Sequence, residues 1–155
     1  MELPGLIGTW RLVSSETRWG DAPARQPWGP NPVGMLTYDA DGYMTVQLMR
    51  PDRPQRRPRP VAPDAVLGTI GELEVLGYLA YCGTYDVEAG AWRAVHHVTC
   101  ALLPELVGQD VVRTYELSGD TLTLHTPPVV VDGRERRSVL VWRRAAGRRS
   151  APAAP

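Results

Sequence analysis

The sequence contains no phenylalanine and no lysine, and it has only two cysteines. Its aromatic bulk therefore comes from 5 tryptophans and 6 tyrosines, which are apolar rings that also carry a hydrogen-bonding group. All 17 basic residues are arginine, and 17 acidic residues balance them. The net charge of zero gives no general attraction to nucleic acid or to a membrane surface.

Several sequence signals of other protein classes are also missing. No basic segment followed by an apolar run opens the chain, and no apolar run approaches the length of a membrane-spanning helix. Dinucleotide and phosphate-loop glycine patterns, a nucleophile elbow and a Cys/His metal spacing are absent. We therefore expect no cofactor, no metal, no nucleic-acid or membrane partner, and a cytoplasmic location in which Cys82 and Cys100 stay reduced.

What the sequence does contain is a series of short strands separated by turns. The first strand, over residues 8–18, opens with Gly8-Thr9-Trp10-Arg11-Leu12-Val13. Strands are also predicted over residues 34–38, 43–49, 81–87, 92–101, 111–117, 121–126 and 137–144. Turn sequences such as residues 39–42 join neighbours directly, so the pattern predicts an all-β, eight-stranded, antiparallel up-and-down barrel.

Three stretches depart from the strand pattern. Residues 50–63 interleave arginine with proline. This pattern is typical either of an anion-binding arm or of a solvated extended connection, and the net charge of zero favours the connection. Leucines at helical spacing predict one inserted helix over about residues 65–79. Trp28, in a loop rich in proline and glycine, is either a local plug or a ring over a pocket. We expect one domain over residues 1–144 and a disordered tail over 145–155.

Six further segments accompany the opening strand and together resemble a known family. Gly8 and Trp10 resemble the Gly-x-Trp signature of lipocalins, which pair this ring with an arginine of the last strand; Arg144 is selected because it shares strand parity with Trp142. The other segments are residues 30–34, 41–47, 49–54, 81–85, 96–98 and 124–128. Over residues 5–144 the chain resembles the bacterial and fungal lipocalin-like domain family, from which it departs at residues 55–60, Cys82 and Thr99.

The resemblance implies a barrel with a cavity for a small molecule. Relatives lie in natural-product gene clusters, and some lipocalin-like proteins there act as cofactor-free cyclases or pericyclases. A fold does not specify one reaction. The favoured hypothesis is a cofactor-independent cyclase, pericyclase or isomerase acting on a hydrophobic natural-product-type molecule. A non-catalytic carrier or sensor, and a structural protein with a filled core, remain alternatives, and a homodimer is left open.

Candidate site residues follow from strand parity. His96 and His97 are adjacent, so one faces inward and the other outward; the more polar face predicts His97 inside, as a proton carrier. Tyr85 and Gln47 are predicted to assist by hydrogen bonding. The predicted ligand contacts are Trp28, Tyr43, Met49, Tyr81, His96, Arg113, Tyr115 and Glu16. Arg113 and Glu16 either form a buried pair or lie on the surface, whereas Gly8, Trp10 and Arg144 are structural.

Overall fold

Nine antiparallel strands form a single sheet in the computed structural model, which describes residues 5–53 and 77–147. The strands are β1 (Gly8–Trp19), β2 (Val33–Tyr38), β3 (Tyr43–Met49), β4 (Tyr78–Glu88), β5 (Arg93–Ala101), β6 (Asp110–Ser118), β7 (Thr121–His125), β8 (Val129–Val131) and β9 (Arg134–Arg144). Strand β9 pairs with both β7 and β1, which closes eight strands into a barrel. The predicted architecture is therefore confirmed; β8, an unpredicted short strand, pairs with the start of β9.

Side-chain alternation decides which face of each strand lies inside the barrel. In β3, Met44, Val46 and Leu48 are buried, while the residues between them are exposed or half-buried. Strand β1 breaks this alternation, because its pairing with β9 shifts register between Leu12 and Ser14. This bulge keeps both halves of a long strand facing inward.

The indole of Trp10 fills one end of the barrel, here called the closed end. Trp10 is completely buried, and its ring nitrogen donates to the Leu6 carbonyl over 2.9 Å. The Arg144 guanidinium lies 4.1 Å from the ring centroid and donates to the carbonyls of Gly5 and Ile7. The N-terminal segment is thus held across the barrel end by the last strand.

Gly8 is required by this arrangement for two reasons. Its φ is +131°, a conformation that side chains disfavour. In addition, a Cβ at this position would lie 2.8 Å from the Arg144 guanidinium. The glycine of the Gly-x-Trp signature therefore leaves room for the arginine that stacks on the tryptophan.

Longer connections lie at the opposite end of the barrel, here called the loop end. The segment after β1 folds back onto it, since Thr17 and Arg25 exchange two backbone hydrogen bonds of 2.8 Å. Trp28 follows, half-buried against the hydrophobic core. No helix in the described part of the chain is long and apolar enough to cross a membrane.

Some predictions fall outside the described residues. These are the Arg/Pro-rich run from residue 54 onward, most of the predicted helix, and the tail beyond residue 147. The end of the predicted helix is wrong: Gly77 lies in a turn, and Tyr78 and Leu79 begin β4. Pairing with β3, in which Leu79 lies opposite Leu48, overrides the helical leucine spacing there.

Replacing Arg144 with methionine should destabilise the fold. The substitution removes the stack on Trp10 and two charged hydrogen bonds, so we expect a loss of about 2 kcal/mol in the free energy of unfolding, measured by denaturant titration. Arg143→Met is the matched control, because Arg143 is exposed on the same strand, and it should change stability by less than about 0.5 kcal/mol. Equal losses in the two variants would contradict a structural role for the stack.

Candidate functional site

A buried histidine lies between two phenols inside the barrel. His96 of β5 is 1% exposed. Its Nε2 is 2.7 Å from the Tyr38 hydroxyl, and its Nδ1 is 3.0 Å from the Tyr81 hydroxyl. Arg113 of β6 lies beside Tyr81. Strands β2, β4, β5 and β6 therefore each contribute one polar side chain to the same interior cluster.

The direction of these hydrogen bonds follows from the chemistry of the guanidinium, which only donates. When Arg113 donates to the Tyr81 oxygen, the Tyr81 hydroxyl donates to Nδ1 of His96. The proton of the neutral imidazole is then on Nε2 and is donated to the Tyr38 oxygen. This order satisfies both ring nitrogens without charging the histidine.

Burial keeps the cluster neutral apart from Arg113. Desolvation, followed by the positive charge of Arg113 and by His97, lowers the pKa of His96 to about 3. Burial likewise raises the pKa of Tyr38 and of Tyr81 above the usual phenol value, although Arg113 opposes both shifts. At neutral pH the cluster thus contains one imidazole, two phenols and one guanidinium, with the positive charge on Arg113 alone.

The cluster borders a small cavity of about 30 Å³ in the barrel interior. Its walls are mostly aliphatic, and the lining residues are Leu36, Val46, Leu48, Leu79, Tyr81, His96, Arg113, Leu124, Leu140 and Trp142. Two larger grooves, of about 250 and 370 Å³, lie on the outer side of strands β2–β4. The interior cavity is the better candidate site despite its size, because apolar walls and a few convergent polar groups are typical of ligand pockets.

Tyr85 and Tyr115, two further site residues predicted from the sequence, also lie inside the barrel. The Tyr85 hydroxyl donates to the Asp39 carbonyl over 2.7 Å, and its ring lies 4.7 Å from that of Tyr38. Tyr115 is 2% exposed and packs edge-on against Trp92. Its hydroxyl has no hydrogen-bond partner among the described residues. Tyr85 is thereby committed to the backbone, whereas the Tyr115 hydroxyl is still available.

The expectation that His97 faces the interior is wrong. His97 lies on the outer surface between two carboxylates, with Nε2 2.9 Å from Asp86 and Nδ1 2.6 Å from Asp110. The more polar face of β5 is the solvent face, as is usual in a strand covered on one side only. Adjacent strands supply both carboxylates, so the local sequence around His97 does not reveal them.

The predicted face of β3 is also reversed. Tyr43, Gln47 and Met49 face outward: Tyr43 is 59% exposed, and Gln47 donates to Thr45 beside it. Met49 and Gln47 line the larger outer groove. The aliphatic face points inward because it is the one that loses water contact on closure.

Glu16 is exposed on β1, so the alternative of a buried pair with Arg113 does not hold. The bulge after Leu12 reverses the parity of the second half of β1 and turns Ser15 and Thr17 inward. The Thr17 hydroxyl then forms a hydrogen bond of 2.8 Å with the hydroxyl of Ser138 on the neighbouring strand β9. Arg113 is consequently left in the interior without the acidic partner that the sequence offered.

Sequence reasoning missed Tyr38 and Trp142 as site residues. Tyr38 shares strand parity with Leu36, and Trp142 shares it with Leu140. That signal marks an inward position but does not distinguish packing from hydrogen bonding. Only the approach of β5 to β2 across the barrel shows that Tyr38 contacts His96.

The two cysteines lie opposite each other on the outer surface. Cys82 of β4 pairs with Cys100 of β5, next to a register shift at Gly83, and both are free thiols. Burial and the neighbouring Cys100 raise the pKa of the Cys82 thiol. Within the described ranges, no group of three or more acidic, histidine or cysteine side chains is placed to hold a metal ion.

Comparison with known proteins relates the chain to one family. The sequence profile of the lipocalin-like domain matches residues 7–145. The chain belongs to the lipocalin-like domain family. This lipocalin-like chain is 36% identical over 110 residues to a 4'-hydroxy-3'-methoxypropiophenone carrier protein from Aspergillus oryzae, covering 65% of the chain and 96% of that protein. A crystal structure of a lipocalin-like protein from Bacteroides uniformis aligns over 90% of the chain and 98% of its own, with 13% identity and a TM-score of 0.44.

The two adjacent histidines should titrate differently. The ring of His96 should show no protonation between about pH 5 and 8 in an NMR titration, because burial lowers its pKa to about 3. His97 should titrate above its usual value of 6.5, since hydrogen bonds to Asp110 and then Asp86 raise its pKa. A His96 resonance that titrates near neutrality would contradict the buried, neutral cluster.

The same titration has a consequence for stability. A raised folded-state pKa means that protonated His97 stabilises the fold fully below about pH 6.5, and that this contribution is lost as pH rises through the folded-state value. His97→Gln should therefore flatten the pH dependence of the melting temperature in this window. His125→Gln is the control for loss of an exposed histidine that pairs with only one carboxylate, Glu116.

Proposed function

We propose that this lipocalin-like chain binds a small, mainly apolar organic molecule inside the barrel and carries it without changing it. The observation that supports this function is the interior cluster of His96, Tyr38, Tyr81 and Arg113 set among aliphatic walls. Such a site orients one polar end of a ligand while the walls cover the rest. A natural-product-type molecule of secondary metabolism has this character.

The Aspergillus oryzae relative supports the same ligand class. Its name describes a carrier of 4'-hydroxy-3'-methoxypropiophenone, an aromatic ring with a ketone, a methoxy group and a phenol. The molecule combines an apolar body with a few oxygens, and these match the walls and the donors of the interior site. We therefore extend ligand carriage, and this type of ligand, to the present chain.

Carriage is favoured over acid–base catalysis by the state of the two histidines. A base with a pKa of about 3, as for His96, is poorly matched to proton abstraction at neutral pH. The pKa of His97 is raised by its hydrogen bonds to Asp110 and then Asp86, but this residue lies outside the barrel. Neither histidine therefore both lies inside the barrel and is basic enough to accept a proton from a ligand at neutral pH.

Entry of a whole ligand requires side chains to move. The interior cavity of about 30 Å³ accommodates one water-sized group, so a ligand oxygen fits there and the ring does not. Leu79 and Trp28 are half-buried at the loop end, where fewer neighbours hold them than in the fully buried core. We propose that these two side chains give way as the ligand enters.

Blocking the interior should abolish ligand binding, and blocking the outer groove should not. In Leu79→Trp the larger side chain fills the space that Leu79 would vacate for the ligand, whereas in Met49→Trp it occupies the outer groove of about 370 Å³. Calorimetric titration with 4'-hydroxy-3'-methoxypropiophenone should show at least about tenfold weaker binding to Leu79→Trp and near wild-type binding to Met49→Trp. The opposite pattern would place the ligand on the outer surface.

A cofactor-independent cyclase, pericyclase or isomerase is the second candidate function. The observation in its favour is that neutral His96, the phenols and Arg113 are donors preorganised in an enclosed site, an arrangement that stabilises charge developing on a carbonyl oxygen. Gln47 faces outward and Tyr85 is bonded to a backbone carbonyl, so we assign neither a catalytic role.

The two functions differ in the fate of the ligand. Under the carrier proposal, 4'-hydroxy-3'-methoxypropiophenone incubated in deuterated water with equimolar protein should be recovered unchanged. Its exchange of the hydrogens next to the ketone should be no faster than in buffer, as monitored by mass spectrometry. Accelerated exchange that is lost in His96→Gln and retained in His97→Gln would instead support an isomerase. His97→Gln is the matched control because it alters the adjacent histidine outside the barrel.

A further inference from the structure

We propose that the barrel interior selects an organic oxyanion, so that a ligand bearing a phenol or a carboxylic acid binds with that oxygen ionised against Arg113 and Trp142. This inference rests on the function proposed above and specifies the ionisation state of the ligand. Its basis is a guanidinium that forms no ion pair and an indole N–H that has no acceptor among the described residues of the barrel interior.

Arg113 is the charged member of this pair. It is half-buried and lines the cavity; of its five N–H donors, one is taken by the Val112 carbonyl over 2.7 Å and one by the Tyr81 hydroxyl. Among the ion pairs formed by residues 5–53 and 77–147, none involves Arg113. A guanidinium enclosed by protein without an anionic partner is unfavourable. The site is therefore prepared for an anion from outside the chain.

Trp142 supplies a second, independent donor. The residue is 1% exposed and lines the same cavity. Its indole nitrogen is buried and has no acceptor within the described part of the chain. An indole N–H can only donate, so the group that satisfies it must carry an acceptor oxygen or nitrogen. Two residues that carry donors, one charged and one neutral, thus line the same cavity, which has room for one oxygen.

Among residues 5–53 and 77–147, no other interior group neutralises the positive charge. The titratable side chains that face the interior with Arg113 are Tyr38, Tyr81, Tyr85, Tyr115 and His96. Strands β1, β3, β7 and β9 contribute only uncharged groups to the buried core: aliphatic side chains, the Met44 thioether, indoles and hydroxyls. Burial raises the pKa of all four phenols and lowers that of the imidazole, so each remains uncharged. The low dielectric of the interior strengthens the attraction between Arg113 and an anionic ligand.

The inference is tested with 4'-hydroxy-3'-methoxypropiophenone, whose phenol and phenolate absorb at different wavelengths. We expect the apparent pKa of the bound phenol to be at least one unit below that of the free molecule, which corresponds to at least tenfold tighter binding of the phenolate. The matched neutral probe is 3',4'-dimethoxypropiophenone, which should bind about tenfold more weakly than the hydroxy compound once the pH is well above the pKa of the free phenol. A carboxylate arm compares 3,4-dimethoxybenzoate with its methyl ester, and the ionised member should again bind more tightly.

Variants assign the effect to Arg113. Arg113→Met should abolish the pKa shift of the bound phenol, and Arg113→Lys should retain part of it. Arg143→Met, which removes an exposed arginine from the outer surface, should leave the shift unchanged. The wild-type absorbance spectrum tests the proposal by itself should the methionine variant not fold.

The possible outcomes separate this inference from the proposed function. Equal binding of phenol and dimethoxy probes, with no spectral shift, would overturn the oxyanion site and leave small-molecule carriage intact. A phenolate spectrum that persists in Arg113→Met would also overturn it. Failure of all four probes to bind would instead contradict carriage of this ligand class, and the present inference with it.

Discussion

Closure of the sheet by β9 is the constraint on which the remaining structure depends. This strand pairs with β7 on one side and with β1 on the other. Each of the eight barrel strands therefore has a hydrogen-bonded neighbour on both sides. Closure creates an inside that excludes water, and Trp10 with Arg144 seals one end of it. The shifted pKa values of the interior tyrosines and of His96 follow from this enclosure, because burial is the first cause of each shift.

The barrel interior combines dense packing with a few unbalanced polar groups. Most inward positions are aliphatic or aromatic, and they leave a cavity of only about 30 Å³. The hydrogen-bonded chain from Tyr38 through His96 to Tyr81 is satisfied, whereas the indole N–H of Trp142, which also lines this cavity, has no acceptor in the part of the chain that the structure describes. Buried polar groups without partners are rare in native proteins. The unpaired indole N–H therefore lowers the stability of the fold, and the ligand oxygen proposed above would supply the acceptor that it lacks.

Much of the fold was predictable because strand periodicity and turn residues are local signals. Six of the eight predicted strand ranges agree with the observed strands to within one residue at either end, whereas β4 and β9 each begin three residues earlier than predicted. The candidate site was less predictable. Alternation separates the two faces of a strand but does not state which face is inside, and the polar face of β3 and of β5 proved to be the outer one. The bulge in β1, which reverses parity for Glu16, has no clear signature in the sequence.

The sequence by itself determined the antiparallel order of the strands, the family, and the pairing of a glycine, a tryptophan and an arginine at the closed end, because each depends on short-range patterns or on a recurrent motif. Tertiary structure alone decided which histidine is buried, which phenols contact it, and that Arg113 has no acidic partner in the described interior. These features depend on residues from four strands that meet only when the barrel closes. No local sequence pattern predicts such a cluster, since each strand contributes a single side chain to it.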